Sequence, residues 1–247
     1  MQKIIAANWK MYKTRPEARQ TAQELAKELS ATPPHCLVVV FPSFTNIADV
    51  AQILHGIRNV SVGAQNCYPA EEGAFTGEVS PAMLQDAGAC WMLVGHSERR
   101  HVLGESDELV ARKTAFALAQ SFRVMLCVGE TLPQREAGEL EAVLTRQLST
   151  ALNGLTREQL DRLAVAYEPV WAIGTGKVAT PEQVSEAHGA AKGIIRKVTG
   201  EASIPVLYGG SVKPDNAGTL VRLDNVDGLL VGGASLVSRS FVQIIRA

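Results

Sequence analysis

A carboxylate and an imidazole, each placed just past an apolar run, are the first chemistry that this 247-residue sequence offers. Glu168 stands between Tyr167 and Pro169, and His96 opens His96-Ser97-Glu98. A carboxylate in that setting is either a base with a raised pKa or an ion-paired structural acid. A histidine at a strand end can equally be a hydrogen-bonded structural residue. Asn8 and Lys10 follow the first apolar run, where the lysine would answer a negative charge or simply be solvated. Gln65-Asn66 follow the third run, and Gly209-Gly210-Ser211 and Gly232-Gly233 follow the last two. Glycine lacks Cβ and lets backbone N–H groups approach an anion, although it also serves ordinary tight turns. Gly232-Gly233 is expected to open the last helix, whose N-terminal dipole would favour an anion.

These residues need elements to hold them. Apolar runs recur at 4–9, 36–41, 60–65, 91–96, 124–129, 163–168, 205–210 and 228–233, apolar at both parities, as strands buried on both faces are. Helical patterns lie between them, at 16–30, 106–121 and 134–152. In the first, Ala18, Ala22, Leu25, Ala26 and Leu29 form an amphipathic stripe. Thr180-Pro181-Glu182-Gln183 and Ser80-Pro81 carry helix-start signals. Strand alternating with helix eight times, without a linker, predicts an α/β fold: one domain over 1–247, a closed (β/α)8 barrel of eight parallel strands. A doubly wound open sheet is the alternative. In a barrel the candidates share one face, and glycine pairs after the last two strands favour a phosphate site there.

Several classes of function are excluded or disfavoured. With 24 basic and 25 acidic side chains and no basic block, neither nucleic acid nor an anionic membrane is the expected partner. No apolar run has the length of a membrane-spanning helix, and the apolar stretch near Met1 is too short for a secretory leader. The five histidines show no metal-ligand spacing, so no metal is expected. No nucleotide-binding glycine loop is present, and no cofactor is expected. Cys36, Cys67, Cys90 and Cys127 form no C-x-x-C pair, which favours free thiols and a cytoplasmic setting. Ile173-Gly174-Thr175-Gly176-Lys177, framed by Pro169-Val170-Trp171 and Lys177-Val178-Ala179, has the pattern of a mobile tip between stiffer hinges, or of an ordinary flexible loop.

Across its whole length the chain resembles the triosephosphate isomerase family. The resemblance is carried by Ala7-Asn8-Trp9-Lys10-Met11, Gly63-Ala64-Gln65-Asn66, Gly73-Ala74-Phe75-Thr76-Gly77-Glu78, Val94-Gly95-His96-Ser97-Glu98-Arg99-Arg100 and Cys127-Val128-Gly129-Glu130. It continues through Tyr167-Glu168-Pro169-Val170-Trp171-Ala172-Ile173-Gly174-Thr175-Gly176, Tyr208-Gly209-Gly210-Ser211-Val212 and Leu230-Val231-Gly232-Gly233-Ala234-Ser235-Leu236.

The resemblance implies a TIM barrel that interconverts dihydroxyacetone phosphate and D-glyceraldehyde 3-phosphate, a step shared by glycolysis and gluconeogenesis. Glu168 would be the base and His96 the neutral electrophile, a pairing for which this family is itself the reference example. Asn8 and Lys10 would line the site, with Glu98 orienting Lys10 and Ser97 in support. Gly174, Ser211, Gly232 and Gly233 would bind phosphate. Pro169, Val170, Trp171, Ala172, Ile173, Thr175, Gly176 and Lys177 would form a closing lid, latched by Tyr208 and Ser211. Thr76, Gly77 and Glu78 would lie in a dimer loop, with Thr76 reaching the partner's Asn8 and Lys10 in a symmetric homodimer. Tyr12 departs from the family pattern near that contact. Two rivals remain: a Schiff-base aldolase, which needs a desolvated lysine at the carbonyl, and a phosphometabolite binder without turnover.

Overall fold

The computed structural model describes residues 2–173, 178–200 and 203–247. Eight strands close into a barrel: β1 (Ile4–Asn8), β2 (Leu37–Phe41), β3 (Val60–Ala64), β4 (Trp91–Val94), β5 (Arg123–Val128), β6 (Leu163–Tyr167), β7 (Val206–Tyr208) and β8 (Gly228–Val231). Each strand pairs in parallel with the next, and β1 pairs with β8 to complete the ring. The open-sheet alternative is excluded by that last pairing.

Helices α1 (Arg15–Ala31), α2 (Ile47–Leu54) and α3 (Pro81–Asp86) follow the first three strands in turn. After β4 come α4 (Ser97–His101) and α5 (Asp107–Ala119), and after β5 come α6 (Leu132–Glu136), α7 (Leu140–Leu152) and α8 (Arg157–Leu160). Helices α9 (Pro181–Thr199), α10 (Pro214–Val221) and α11 (Ser238–Ile245) follow β6, β7 and β8. Ala18, Ala22, Leu25 and Leu29 of α1 are buried, as the stripe predicts. Thr180 caps α9 reciprocally: its N–H donates to Gln183 Oε1 (2.9 Å), and its hydroxyl accepts from the Gln183 N–H (3.3 Å).

Two expectations are corrected. The helix expected over 134–152 is broken between α6 and α7, where the chain turns at Gly138 with φ of 72°. Gly232-Gly233 do not open the last helix. They start a 3-10 turn, Gly233–Leu236, closed by the Ser235 N–H and hydroxyl on the Gly232 carbonyl (2.8 and 2.7 Å). Extended Val237 then separates this turn from α11.

Strand parity sets which side chains meet. One buried cluster, including Ile4, Ala6, Trp91, Leu93, Ala164, Ala166, Leu207 and Leu230, fills the barrel interior. Their strand neighbours, such as Ile5, Met92, Val165 and Leu229, pack outward against the helices. Side chains alternate along a strand, so Asn8, Glu168, Gly209 and Gly232 continue the inward parity beyond the last interior layer. They arrive together at the mouth formed by the carboxyl ends of the strands.

Candidate active site

The mouth holds a cavity of about 730 Å³, lined by Asn8, Lys10, His96 and Glu168 and by Gly209, Gly210, Ser211, Gly232 and Gly233. Asn8 is 4%, His96 5% and Glu168 2% exposed, burial that polar side chains reach only when they are partnered. Gly95 has φ of 71°, a left-handed conformation that glycine adopts without a Cβ clash. His96 follows it, out of strand parity, as the N-cap of α4.

Both oxygens of Glu168 are engaged. Oε1 lies 2.9 Å from His96 Nε2, and Oε2 accepts the Ser97 N–H at 2.8 Å. On the other edge of the ring, Nδ1 accepts the Glu98 N–H at 3.2 Å. That bond requires an unprotonated Nδ1, so the ring proton sits on Nε2, facing the cavity. Burial opposes charge on either partner, but their mutual attraction outweighs it. Glu168 is held below its ordinary value and His96 above its own.

Lys10 has φ of 53°, uncommon for a residue with a Cβ. Its N–H donates to Asn8 Oδ1 (3.0 Å), its carbonyl accepts from Gln65 Nε2 (2.9 Å), and its Nζ donates to Glu98 Oε1 (2.7 Å). The Glu98 side chain is 46% exposed, so this pair contributes little stability and mainly directs the ammonium. Gly209 leaves room for Glu168, because a Cβ there would lie 3.0 Å from Glu168 Cγ.

The segment after Glu168 begins with Pro169 and a 3-10 turn over Val170–Ala172, with Trp171 and Ala172 buried. Ile173 lines the cavity, whereas Gly174, Thr175, Gly176 and Lys177 lie outside the described residues. Tyr208 is buried at the end of β7, its hydroxyl beside Gly210. Thr76, Gly77 and Glu78 are not brought to this cavity; they are exposed on the loop after β3.

Sequence reasoning passed over Glu130 as a site residue. It is fully buried, and its Oε1 accepts from Tyr167 Oη (3.0 Å) and Trp171 Nε1 (2.8 Å), tying the start of the 169–173 segment to β5 and β6. Burial pushes its carboxyl up. The available signal was an acid just past the apolar run of β5, the same placement as Glu168. Gln65, noted only as a strand-end polar residue, holds the Lys10 and Phe41 carbonyls.

A family model described as triosephosphate isomerase matches residues 3–247. The chain is 54% identical over 250 residues to the protein named triosephosphate isomerase from Oleidesulfovibrio alaskensis, with 100% of both chains covered. It is 55% identical over 251 residues to that of Nitratidesulfovibrio vulgaris strain Miyazaki F, again covering 100% of both. The Lawsonia intracellularis protein of the same name is 47% identical over 249 residues, covering 100% of this chain and 98% of its own.

Proposed function

The chain belongs to the triosephosphate isomerase family, and from that premise we propose that it isomerises dihydroxyacetone phosphate and D-glyceraldehyde 3-phosphate with Glu168 as base and His96 as neutral acid. One observation carries the assignment: a buried carboxylate 2.9 Å from a buried imidazole Nε2, at the wall of a cavity lined by glycine backbone.

Glu168 leaves His96 and takes a proton from C1 of dihydroxyacetone phosphate. The electron pair moves into the C1–C2 bond, and charge gathers on the carbonyl oxygen. The Nε2–H of His96 and the Lys10 ammonium are the preorganised partners for that oxygen, inside a site where such partners act most strongly. The Glu168 proton returns to C2, and His96 carries the other proton between the two oxygens, yielding D-glyceraldehyde 3-phosphate. Once the carboxylate is at the substrate, the largest influence raising the His96 pKa is withdrawn, and only the weaker pull of Glu98 is left on that side. Burial remains, and so does the Glu98 N–H on Nδ1, so the ring stays neutral.

Ser211, Gly232 and Gly233 hold the phosphate together with Gly174. The 169–177 segment closes as a lid that excludes water and keeps the phosphate from leaving the enediolate. Tyr208 and Ser211 latch it, and Ser97 and Glu98 support Glu168 and Lys10. The working unit is one domain over 1–247, located in the cytoplasm and paired as a homodimer through the Thr76-Gly77-Glu78 loop. Support for pairing comes from exposed apolar side chains on loops after three of the first four strands: Met11 (94%) and Tyr12 after β1, Phe75 after β3, Val102 (77%) and Leu103 after β4. Such grouping on one side of a barrel marks an interface.

Isomerisation of glyceraldehyde 3-phosphate by wild type and Glu168→Ala, side by side, tests the assignment. Fast turnover that the substitution lowers by about 10³-fold or more is expected, the scale of losing an acid–base group. Near-equal rates would remove Glu168 as the base. Covalent trapping of substrate by borohydride would point to the aldolase.

A further inference from the structure

Lys13 lies outside the machinery described above, yet it joins four parts of the barrel rim. Its backbone is left-handed, with φ of 74°. Its carbonyl accepts from Asn46 Nδ2 at 2.8 Å, which fastens the loop after β1 to the loop after β2. Its ammonium donates to Thr21 Oγ1 on α1 and to the Leu236 carbonyl, each at 2.8 Å, and lies 5.2 Å from the centre of the buried Trp9 ring.

The Leu236 carbonyl ends the 3-10 turn that begins at Gly233. The Ser235 N–H and hydroxyl close its start on the Gly232 carbonyl, and extended Val237 follows its end. A carbonyl there has no helical N–H ahead of it and needs another donor. Gly232, Gly233, Ala234 and Leu236 all line the cavity, so a shift of Leu236 is a shift of the cavity wall.

We propose that Lys13 is a positioning residue for phosphate: its ammonium pins the Leu236 end of the turn to α1 and so holds the Gly232 and Gly233 N–H groups where a phosphate meets them. This rests on the phosphate placement proposed above. A flexible lysine would otherwise prefer water. Here the charge-assisted bond to Leu236, the bond to Thr21 and the left-handed backbone fix it in place. Burial lowers its pKa, and Glu17 and Glu24 oppose that shift.

Two substitutions test the idea. Lys13→Met removes the ammonium, and Lys13→Gly also removes it while suiting the left-handed backbone, which guards against loss of folding. The readouts are KM and kcat for glyceraldehyde 3-phosphate and, independently of turnover, the dissociation constant of inorganic phosphate by calorimetry. Both variants are expected to raise KM and the phosphate constant together by about tenfold, the scale of one charge-assisted hydrogen bond, with kcat within about twofold of wild type. The same ratio to wild type should persist at high ionic strength. An unchanged phosphate constant would overturn the proposal, as would a rise that vanishes at high salt, since only distant charge is screened away. A loss confined to kcat would overturn it too. Absence of isomerisation in the wild type would instead defeat the functional assignment, and the phosphate measurement would still judge Lys13.

Discussion

Lys10 combines an unfavourable backbone with three directed bonds, and strain of that kind persists only where the surroundings over-determine it. Asn8 holds its N–H, Gln65 its carbonyl and Glu98 its ammonium. The expected consequence is that Lys10→Met raises KM and also lowers kcat, by about 10²-fold or more, because the charge meets both bound substrate and developing enediolate. Steady-state kinetics in both directions check this, and a silent substitution would return Lys10 to the surface. At this scale the sequence was highly legible. Glu168, His96, Asn8 and Lys10 were all marked by their position at the ends of apolar runs, and all line the same cavity. Glu130 shares the strand-end placement of Glu168, but its role, like that of Lys13, was not legible, because it lies in contacts with Trp171 and Tyr167, and that of Lys13 in a contact with Leu236.

Between elements, α9 is seated on β6 and β7 by His188. The ring lies 5.8 Å from Tyr167 and 6.3 Å from Tyr208, and its Nδ1 pairs with the Asn225 carbonyl at 3.1 Å. Burial pushes its pKa down to about 4, with the Asn225 carbonyl opposing and Lys192 adding to the shift. The folded ring therefore resists a proton that the unfolded chain accepts near pH 6.5. Stability is then lost as pH falls from that value toward 4, by about 2 kcal/mol at pH 5. Urea unfolding of wild type and His188→Gln at pH 7 and pH 5 measures the difference. The variant should lose that much less on acidification, and parallel losses would clear His188. Two element boundaries escaped the sequence pattern. The apolar stripe of 134–152 belongs to α7, from Leu140 to Leu152, and the polar Gln134-Arg135-Glu136 before it reads as an exposed helical turn, so the pattern does not register the turn at Gly138. Gly232-Gly233 signals a backbone turn but not its length, which the Ser235 side chain and extended Val237 decide.

For the whole molecule, the decisive expectation is association. Met11, Tyr12, Phe75, Val102 and Leu103 expose apolar surface on the loops after β1, β3 and β4, the second of which carries the exposed Thr76-Gly77-Glu78 segment. A carboxylate introduced at Thr76 would be buried in the proposed interface without a partner, a cost of several kcal/mol. Sedimentation should show wild type as a dimer. Thr76→Glu should dissociate at about 10²-fold higher concentration and lose turnover in step with dissociation. An unaltered dimer would remove this loop from the interface, and full turnover in a monomer would show that the site works without the partner.

From sequence alone came the alternation of strand and helix, the residues at strand ends and the family resemblance, because burial on both faces leaves a run of Val, Leu, Ile and Ala that no solvent-facing strand carries. Ring closure was already the favoured outcome there. The pairing of β1 with β8 decided it, since a bond between the first and last strands is long-range and leaves no local mark. Tertiary structure alone also decided how the strand ends are used. Continued inward parity brings Asn8, Glu168, Gly209 and Gly232 to one mouth. The left-handed turn at Gly95 swings His96 in beside them, and the Glu98 N–H selects which ring nitrogen keeps its proton. Those choices depend on angles and distances between segments far apart in the chain, and that information exists only once the barrel has closed.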